Sequence, residues 1–306
     1  MKLVRGLDAG NPTPGGSVVT VGNFDGVHLG HRALLERLAA VGRELELPSV
    51  VVTFEPLPVE YFARDGAPPR LSTLAEKCDA LRDAGVDWVR VLRFDARLAG
   101  LEPREFTERV LARGHAARHV LVGDDFRFGS GRRGDLGSLR EFGAELGFQA
   151  EGIHTVRRPD GHRFSSTAVR EALAAGALDQ ARELLGRPYA MCGRVIRGDT
   201  LGRELGYPTA NLAIRRCPAL GGVFAVTVEG AGPGAKPGVA SLGTRPTVAG
   251  DRRLLEVHLF DFRGQLYGRR LRVTFVAKLR DEHHFDSLEA LTEQMRQDEK
   301  QAREIL

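Results

Sequence analysis

The run Val18-Val19-Thr20-Val21-Gly22-Asn23-Phe24-Asp25-Gly26-Val27-His28-Leu29-Gly30-His31 decides the fold. Its β-branched start reads as a strand, its three glycines as a tight turn, and the residues after Gly30 as a helix reaching about Glu46, with Leu34, Leu35, Leu38 and Val41 at helical spacing. A strand that passes through a glycine-rich turn into an amphipathic helix is the first half of a βαβ unit. The alternation repeats to about residue 186: strands are expected at 49–54, 88–92, 120–122 and 150–153, helices at 73–84, 104–113 and 138–146. Thr73 to Glu76 reads as a capping box, Pro103 as an opening turn, and Gly85 and Gly114 as closing turns. Strand and helix in alternation imply a parallel sheet covered on both faces. Such sheets bind ligands at the carboxyl ends of their strands, here the loops after Val21, Phe54 and Val122.

Beyond residue 186 glycine and proline become dense and the strands lengthen. Segments 194–196, 223–229, 239–242, 254–260 and 271–276 read as antiparallel strands, with turns at Arg263-Gly264 and Tyr267-Gly268. A polar amphipathic stretch from Ser287 to Ile305 completes a small β-barrel capped by one C-terminal helix. Two domains are therefore expected, 1–186 and 187–306, joined near Gly186-Arg187-Pro188.

Composition narrows the classes. The 306 residues are 42% hydrophobic and 27% charged, which excludes a disordered tail. The chain carries 44 basic and 40 acidic residues, net +4, and its basic side chains are arginine except for Lys2, Lys77, Lys236, Lys278 and Lys300. The excess is uneven: residues 1–186 hold 25 basic and 26 acidic residues, net −1, and residues 187–306 hold 19 and 14, net +5. A nucleic-acid-binding protein would need a basic stripe with interleaved aromatics or a recognisable module, and neither is present. Cys78, Cys192 and Cys217 have no CxxC spacing, so no zinc site or disulfide framework is indicated. With no signal-peptide pattern and no apolar run of about 18 residues, a soluble, cytoplasmic protein with small-molecule substrates and no membrane or nucleic-acid partner is expected. Its oligomeric state is not readable.

Chemistry concentrates in two places. His28 and His31 open a helix three residues apart, beside its free N–H groups, while Gly22, Gly26 and Gly30 allow a phosphate to approach the backbone. The alternatives are a plain glycine-rich turn or a metal pair, although helical zinc histidines are usually four apart with an acidic partner. Ser165-Ser166-Thr167, with Arg170 one turn on, is either a second phosphate grip or an N-cap beside a surface charge. In the β-rich half, glycines 198, 202 and 206 permit a cover over a nucleotide, and Thr209 and Asn211 offer hard oxygen ligands for Mg²⁺; a glycine-rich hairpin would look the same. Glu256 alternates with His258 on one strand face alongside Leu254 and Phe260, as a general base or as part of a solvent-facing edge.

Taken together, these motifs resemble a known family. The Gly22–His31 loop, Thr53-Phe54-Glu55-Pro56, Val122-Gly123-Asp124-Asp125-Phe126-Arg127-Phe128-Gly129 and Ser165–Arg170 resemble, in that order, the adenylyltransferase half of bacterial bifunctional riboflavin kinase/FAD synthetases. The glycine-rich segment ending Pro208-Thr209-Ala210-Asn211, then Gly222-Val223-Phe224, Gly243–Val248, Leu255–His258 and Leu279–Glu282 resemble its kinase module. The resemblance implies a nucleotidyltransferase-like doubly wound α/β domain followed by a small antiparallel β-barrel. It implies two activities, riboflavin and ATP giving FMN, then FMN and ATP giving FAD and pyrophosphate; a narrower alternative keeps only one. It further implies that His28 and His31 are catalytic at the α-phosphate, that Gly22, Asn23, Phe24, Asp25 and Gly30 bind ATP around it, and that Ser166, Thr167 and Arg170 hold the β- and γ-phosphates of the leaving pyrophosphate. Phe62, Asp125 and Phe128 would contact the flavin, the two phenylalanines being otherwise core. On the kinase side, Thr209 and Asn211 would hold Mg²⁺ and the ATP phosphates, the segment from Gly198 through Gly202 to Gly206 would close over them, Glu256 would be the base, and Arg280 would meet the flavin or nucleotide. Three departures stand out. Leu57 replaces a histidine common in the family, removing any phosphate contact from it; Phe164 replaces an aliphatic residue and is expected to repack; Ser241-Leu242 replaces Asn-Ile.

Overall fold

The computed structural model describes residues 1–63, 66–154, 156–158, 160–198, 202, 206–214, 217–245 and 252–306, without the side chains of 244, 245, 252 and 253. The chain separates into two compact units, one of residues 1–68 and 72–165 and the other of 69–71 and 166–306.

The first unit is a six-stranded, all-parallel sheet in the order β1-β4-β3-β2-β5-β6, formed by Lys2–Arg5, Ser17–Val21, Ser49–Glu55, Trp88–Arg93, Ala117–Gly123 and Gln149–Ile153 as β1 to β6. From β2 the chain steps outward through β3 and β4 on one side, with β1 added beyond β4, and through β5 and β6 on the other, so the topological switch lies between β2 and β5, and the Gly22–His28 loop leaves the sheet there. Alternation sends Val19 and Val21 to one face and Val18 to the other. Helix α1 (Leu29–Glu44) covers the Val18 face with Leu35, Leu38 and Val41, as does α3 (Leu74–Asp83) with Ala80 and Leu81. On the opposite face Phe106, Val110, Leu111 and Leu139 close the core. Shorter helices complete the unit: α2 (Pro58–Ala63), α4 (Ala96–Ala99), α5 (Pro103–Phe106) and α6 (Arg113–His115), with α7 (Leu136–Leu146) after β5.

The expected capping box is present, Thr73 Oγ1 accepting from the Glu76 N–H while Glu76 accepts from the Thr73 N–H. The helix expected at 104–113 differs from its reading. It passes through a π-helical segment, Thr107–Ala112, and ends at Ala116 in the left-handed region. Gly114 is inside it rather than closing it, because a Cβ there would lie 2.8 Å from the Arg109 carbonyl oxygen.

Beneath this segment lies Arg90, at 1% exposure among the largest fully buried side chains. Its five N–H groups meet five acceptors: His115 Nε2 at 2.7 Å and the carbonyls of Gly6, Ala9, Gly10 and Gly114 at 2.9–3.1 Å. Because Arg90 can only donate, His115 Nε2 must stay unprotonated, and burial followed by the Arg90 charge pushes the His115 pKa down to about 3.

In the second unit, α8 (Ser166–Ala174) and α9 (Leu178–Leu185) precede a closed antiparallel barrel in the order β10-β11-β8-β7-β12-β9. Its strands are Ala190–Ile196, Thr209–Ile214, Gly222–Glu229, Lys236–Arg245, Arg252–Leu259 and Arg270–Arg280, β7 to β12. The filled interior includes Leu212, Phe224, Val226, Leu255, Val273 and Phe275. Strand β8 was read only as the end of a glycine-rich turn, yet it pairs with both β7 and β11. Helix α10 (Leu288–Ile305), capped by Ser287, packs Ala302 against Ala225 and Phe260 on the outer face. Two arginines fasten it. Arg280 forms a forked pair with the buried Asp298 at 2.8–3.1 Å, and Arg303 sits 4.4 Å above the Phe260 ring while bonding Asp261 and Glu299.

Two tests follow from these buried charges. The folded pKa of His115 lies below its unfolded value, so its contribution is complete above about pH 6.5 and is lost as pH falls toward 3. The wild-type denaturation midpoint should therefore drop more steeply between pH 6.5 and 4 than that of His115→Gln, which keeps an acceptor for Arg90, with a slope difference of up to about 1.4 kcal/mol per pH unit. Asp298→Ala should destabilise the barrel unit by about 3 kcal/mol by stranding Arg280, and Asp298→Asn by less, as measured by denaturant unfolding.

Candidate active sites

The loop at the switch point is held in a costly conformation. Phe24 and Val27 have φ of +48° and +43°, in the left-handed region that β-branched and bulky residues avoid. Both side chains are buried in the core on the α1 side of the sheet, and that packing holds the backbone in place. Asp25 braces the turn from below. Its carboxylate accepts the Ser72 N–H and hydroxyl at 3.1 and 3.2 Å, and the Ser72 hydroxyl accepts the Gly26 N–H at 3.0 Å. Phe24 and Asp25 thus turn inward, whereas the Asn23 side chain is exposed.

His28 is the N-cap of α1, its Nδ1 accepting the His31 N–H at 3.3 Å. That bond fixes the tautomer: with the Nδ1 lone pair engaged, the proton of the neutral ring sits on Nε2. The His31 ring stacks on it with centroids 3.7 Å apart and planes 18° apart. Burial, then the charges of His28 and Lys77, hold the His31 pKa well below the ordinary histidine value. Its Nδ1 is buried with no hydrogen-bond partner among the described residues. Gly30 lies against this pair; a Cβ there would come 3.2 Å from the His28 ring and 3.3 Å from Phe164 Cβ. The two histidines thus form a preorganised, stacked pair of hydrogen-bonding rings at a helix N-terminus, a setting suited to phosphate oxygens.

The aromatic residues separate. Phe62 on α2 is 68% exposed and makes edge contacts with Tyr61 and Phe94, and Phe94 in turn with the core ring of Phe54. Phe128 is packed between Phe106 and Phe126 and belongs to the core. Asp125 is exposed and paired with Arg163 at 3.1 Å. Leu57 is buried. Ser166 and Thr167 open α8 in the second unit, where Arg170 donates to the Pro69 carbonyl.

In the barrel, pairing register assembles the second site. Asn211 lies opposite Glu256, and Glu256 opposite Ser241, so one cross-strand row joins β8, β11 and β10; the next row is Thr209, His258 and Val239. Thr209, Ser241, Leu254, Glu256 and His258 line a cavity of about 730 Å³, whose further wall is Arg280, the 283–287 segment and α10. Phe260, on the same face as expected, lies farther along under α10 and meets the His258 ring at 6.1 Å. Backbone presses close to the oxygen donors: a Cβ at Gly198 would overlap the Asn211 amide, and one at Gly202 would lie 3.6 Å from Thr209 Oγ1. The intervening part of the expected cover, 199–201 and 203–205, and residues 246–248 of the later motif lie outside the described residues. Arg280 lines the cavity while held by Asp298, and Glu282, bonded to the Ser241 hydroxyl at 2.9 Å, covers Gly243.

Sequence reasoning passed over Lys77, Ser72 and Glu282. Lys77 is fully buried on α3, and its one visible signal is a charge inside the apolar stripe formed with Cys78 and Leu81. No helix among the described residues is long and apolar enough to cross a membrane.

Comparison with known proteins agrees with this division. Residues 11–168 match the family described as FAD synthetase, and residues 185–306 the family described as riboflavin kinase. The chain is 49% identical over 307 residues to the bifunctional riboflavin kinase/FMN adenylyltransferase of Escherichia coli strain K12, covering 100% of this chain and 98% of that one. It is 51% identical over 293 residues to the protein of the same name from Pseudomonas fluorescens, covering 95% and 93%. A crystal structure from Streptococcus pneumoniae, named a macrolide-efflux protein, superposes with a TM-score of 0.83 at 31% identity over 98% of each chain. With both family matches in chain order and near-complete coverage of relatives at about half identity, the chain belongs to the bifunctional riboflavin kinase/FMN adenylyltransferase family.

Proposed function

We propose that this chain makes FMN from riboflavin and ATP on its barrel and FAD from FMN and ATP on its parallel sheet, with the kinase assigned to 187–306 and the adenylyltransferase to 1–186. The observation that carries this reading is the coexistence in one chain of the stacked His28–His31 pair at the switch point and the Asn211–Glu256 row on the barrel.

For adenylyl transfer, a phosphate oxygen of FMN attacks the α-phosphorus of ATP; that O–P bond forms as the bond to the bridging oxygen of pyrophosphate breaks. The substrate supplies the nucleophile, so the protein positions it and stabilises charge. His28 donates from Nε2 to a phosphate oxygen, with His31 stacked beneath it, and the Gly22–Gly30 backbone lets the phosphates approach. Asn23 lies at the loop surface, and Phe24 and Asp25 set its shape. Phe62 offers an open ring face to the isoalloxazine, with Asp125 at a polar edge and Phe128 in the wall behind.

For the kinase step, Glu256 accepts the proton of the riboflavin 5′-hydroxyl as that oxygen attacks the γ-phosphorus and ADP leaves. Thr209 and Asn211 supply hard oxygens suited to Mg²⁺, set against Gly202 and Gly198, and they would hold it together with the ATP phosphates. When bound, the cation neutralises phosphate charge. Arg280 borders the flavin cavity while anchored to Asp298. Three cysteines, Cys78, Cys192 and Cys217, without CxxC spacing suit a cytoplasmic setting.

Purified protein given riboflavin, ATP and Mg²⁺ should accumulate FMN before FAD, as followed by flavin chromatography; no FMN from riboflavin overturns the kinase assignment. Glu256→Gln should slow FMN formation by about a hundredfold or more and leave conversion of supplied FMN to FAD intact, while His31→Ala should do the reverse. Gly30→Ala, whose methyl crowds the His28 ring, should depress FAD formation by about tenfold or more with FMN formation unchanged.

A further inference from the structure

Lys77 has no part in the chemistry described so far, yet its ammonium is wholly buried beside the adenylyl-transfer loop. Charge is not placed in an interior without a structural or electrostatic return, because desolvation costs several kcal/mol. The hydrogen bonds indicate what this one does. Lys77 Nζ donates to Thr53 Oγ1 at 3.1 Å, and Thr53 Oγ1 lies 3.2 Å from the Asn23 carbonyl. An ammonium has donors only and a hydroxyl has one proton, so the lysine occupies the acceptor side of Thr53 and directs its proton onto the Asn23 carbonyl. The next residue along is Phe24, the first of the two non-glycine left-handed positions of the loop. From the same place the ammonium adds a positive charge near His31.

We propose that Lys77 is a positioning residue for adenylyl transfer, fixing the Asn23 end of the phosphate loop through Thr53 and holding a permanent positive charge in the interior beside that loop. This rests on assigning FMN adenylylation to the His28–His31 site. The groups whose charge reaches the His31 ring are His28 from its own helix and Lys77 from α3; burial acts on it more strongly than either, so removal of Lys77 raises the pKa of His31 without restoring its ordinary value. The two roles separate experimentally, since Thr53→Val breaks the relay and leaves the charge, whereas Lys77→Met removes both.

The test uses the intact chain and FMN with Mg-ATP, with FMN formation from riboflavin as the control for folding. Lys77→Met is expected to lower kcat for FAD formation by about ten- to a hundredfold, as a misplaced reacting group does, and to move the acidic limb of its pH profile to higher pH. Thr53→Val is expected to lower kcat with the limb in its wild-type position, and riboflavin phosphorylation should be unchanged in both variants. Loss of both activities in Lys77→Met would be unfolding, and Thr53→Val then decides: wild-type kcat in that variant overturns the proposal. An unmoved limb in active Lys77→Met also overturns it. Wild-type protein unable to adenylylate FMN would instead refute the assignment of the site itself.

Discussion

The backbone between Gly22 and His28 is the constraint on which the first unit depends. Two non-glycine residues in left-handed conformation cost of order 1–3 kcal/mol each, and nothing local to the loop supplies that. The supply is tertiary: Phe24 and Val27 are core residues that belong by sequence to a turn. The strain and the packing are therefore one feature. The loop cannot relax without emptying part of the core, so the N-cap histidine is delivered to the end of the central strands in one orientation.

The barrel reaches similar precision by another route. Antiparallel register alone puts Asn211, Glu256 and Ser241 side by side there, and a closed sheet has no edge along which register could slip. What the barrel lacks is a wall on its outer face, and α10 provides it through a small apolar contact at Ala302 and the two arginine anchors. The two units thus hold their candidate sites on opposite structural principles, a helix terminus in one and a strand row in the other.

Much of this was legible in the sequence because periodicity and capping are local. The alternation of buried strands with helices, the Thr73 capping box and the His-x-x-His helix start are all visible within a few residues of themselves. What could not be read depends on distant partners. Lys2–Arg5 is a four-residue edge strand with one partner, too short for a pattern. Thr209–Ile214 is rich in alanine and carries asparagine, so its strand character comes from β7 and β11 rather than from propensity. Arg280 looked available to a ligand until Asp298, 18 residues on, engaged it. Phe62 and Phe128 are equivalent as letters, and only folding makes one exposed and the other core.

Arg90 gives the N-terminus a significance beyond its short strand. Among the described residues no carboxylate pairs with this guanidinium; a neutral imidazole and four peptide carbonyls surround it, three of them from Gly6, Ala9 and Gly10. The opening segment of the chain behaves as a covalently attached hydration shell for an interior ion. Apart from Gly6, whose φ of +91° favours glycine, its amino acids need not be particular ones, since it is their carbonyls that serve, but its path and length must be kept. Selection on this segment would then act on backbone geometry more than on side-chain identity, and a lysine at position 90, with three donors for five acceptors, could not inherit the arrangement.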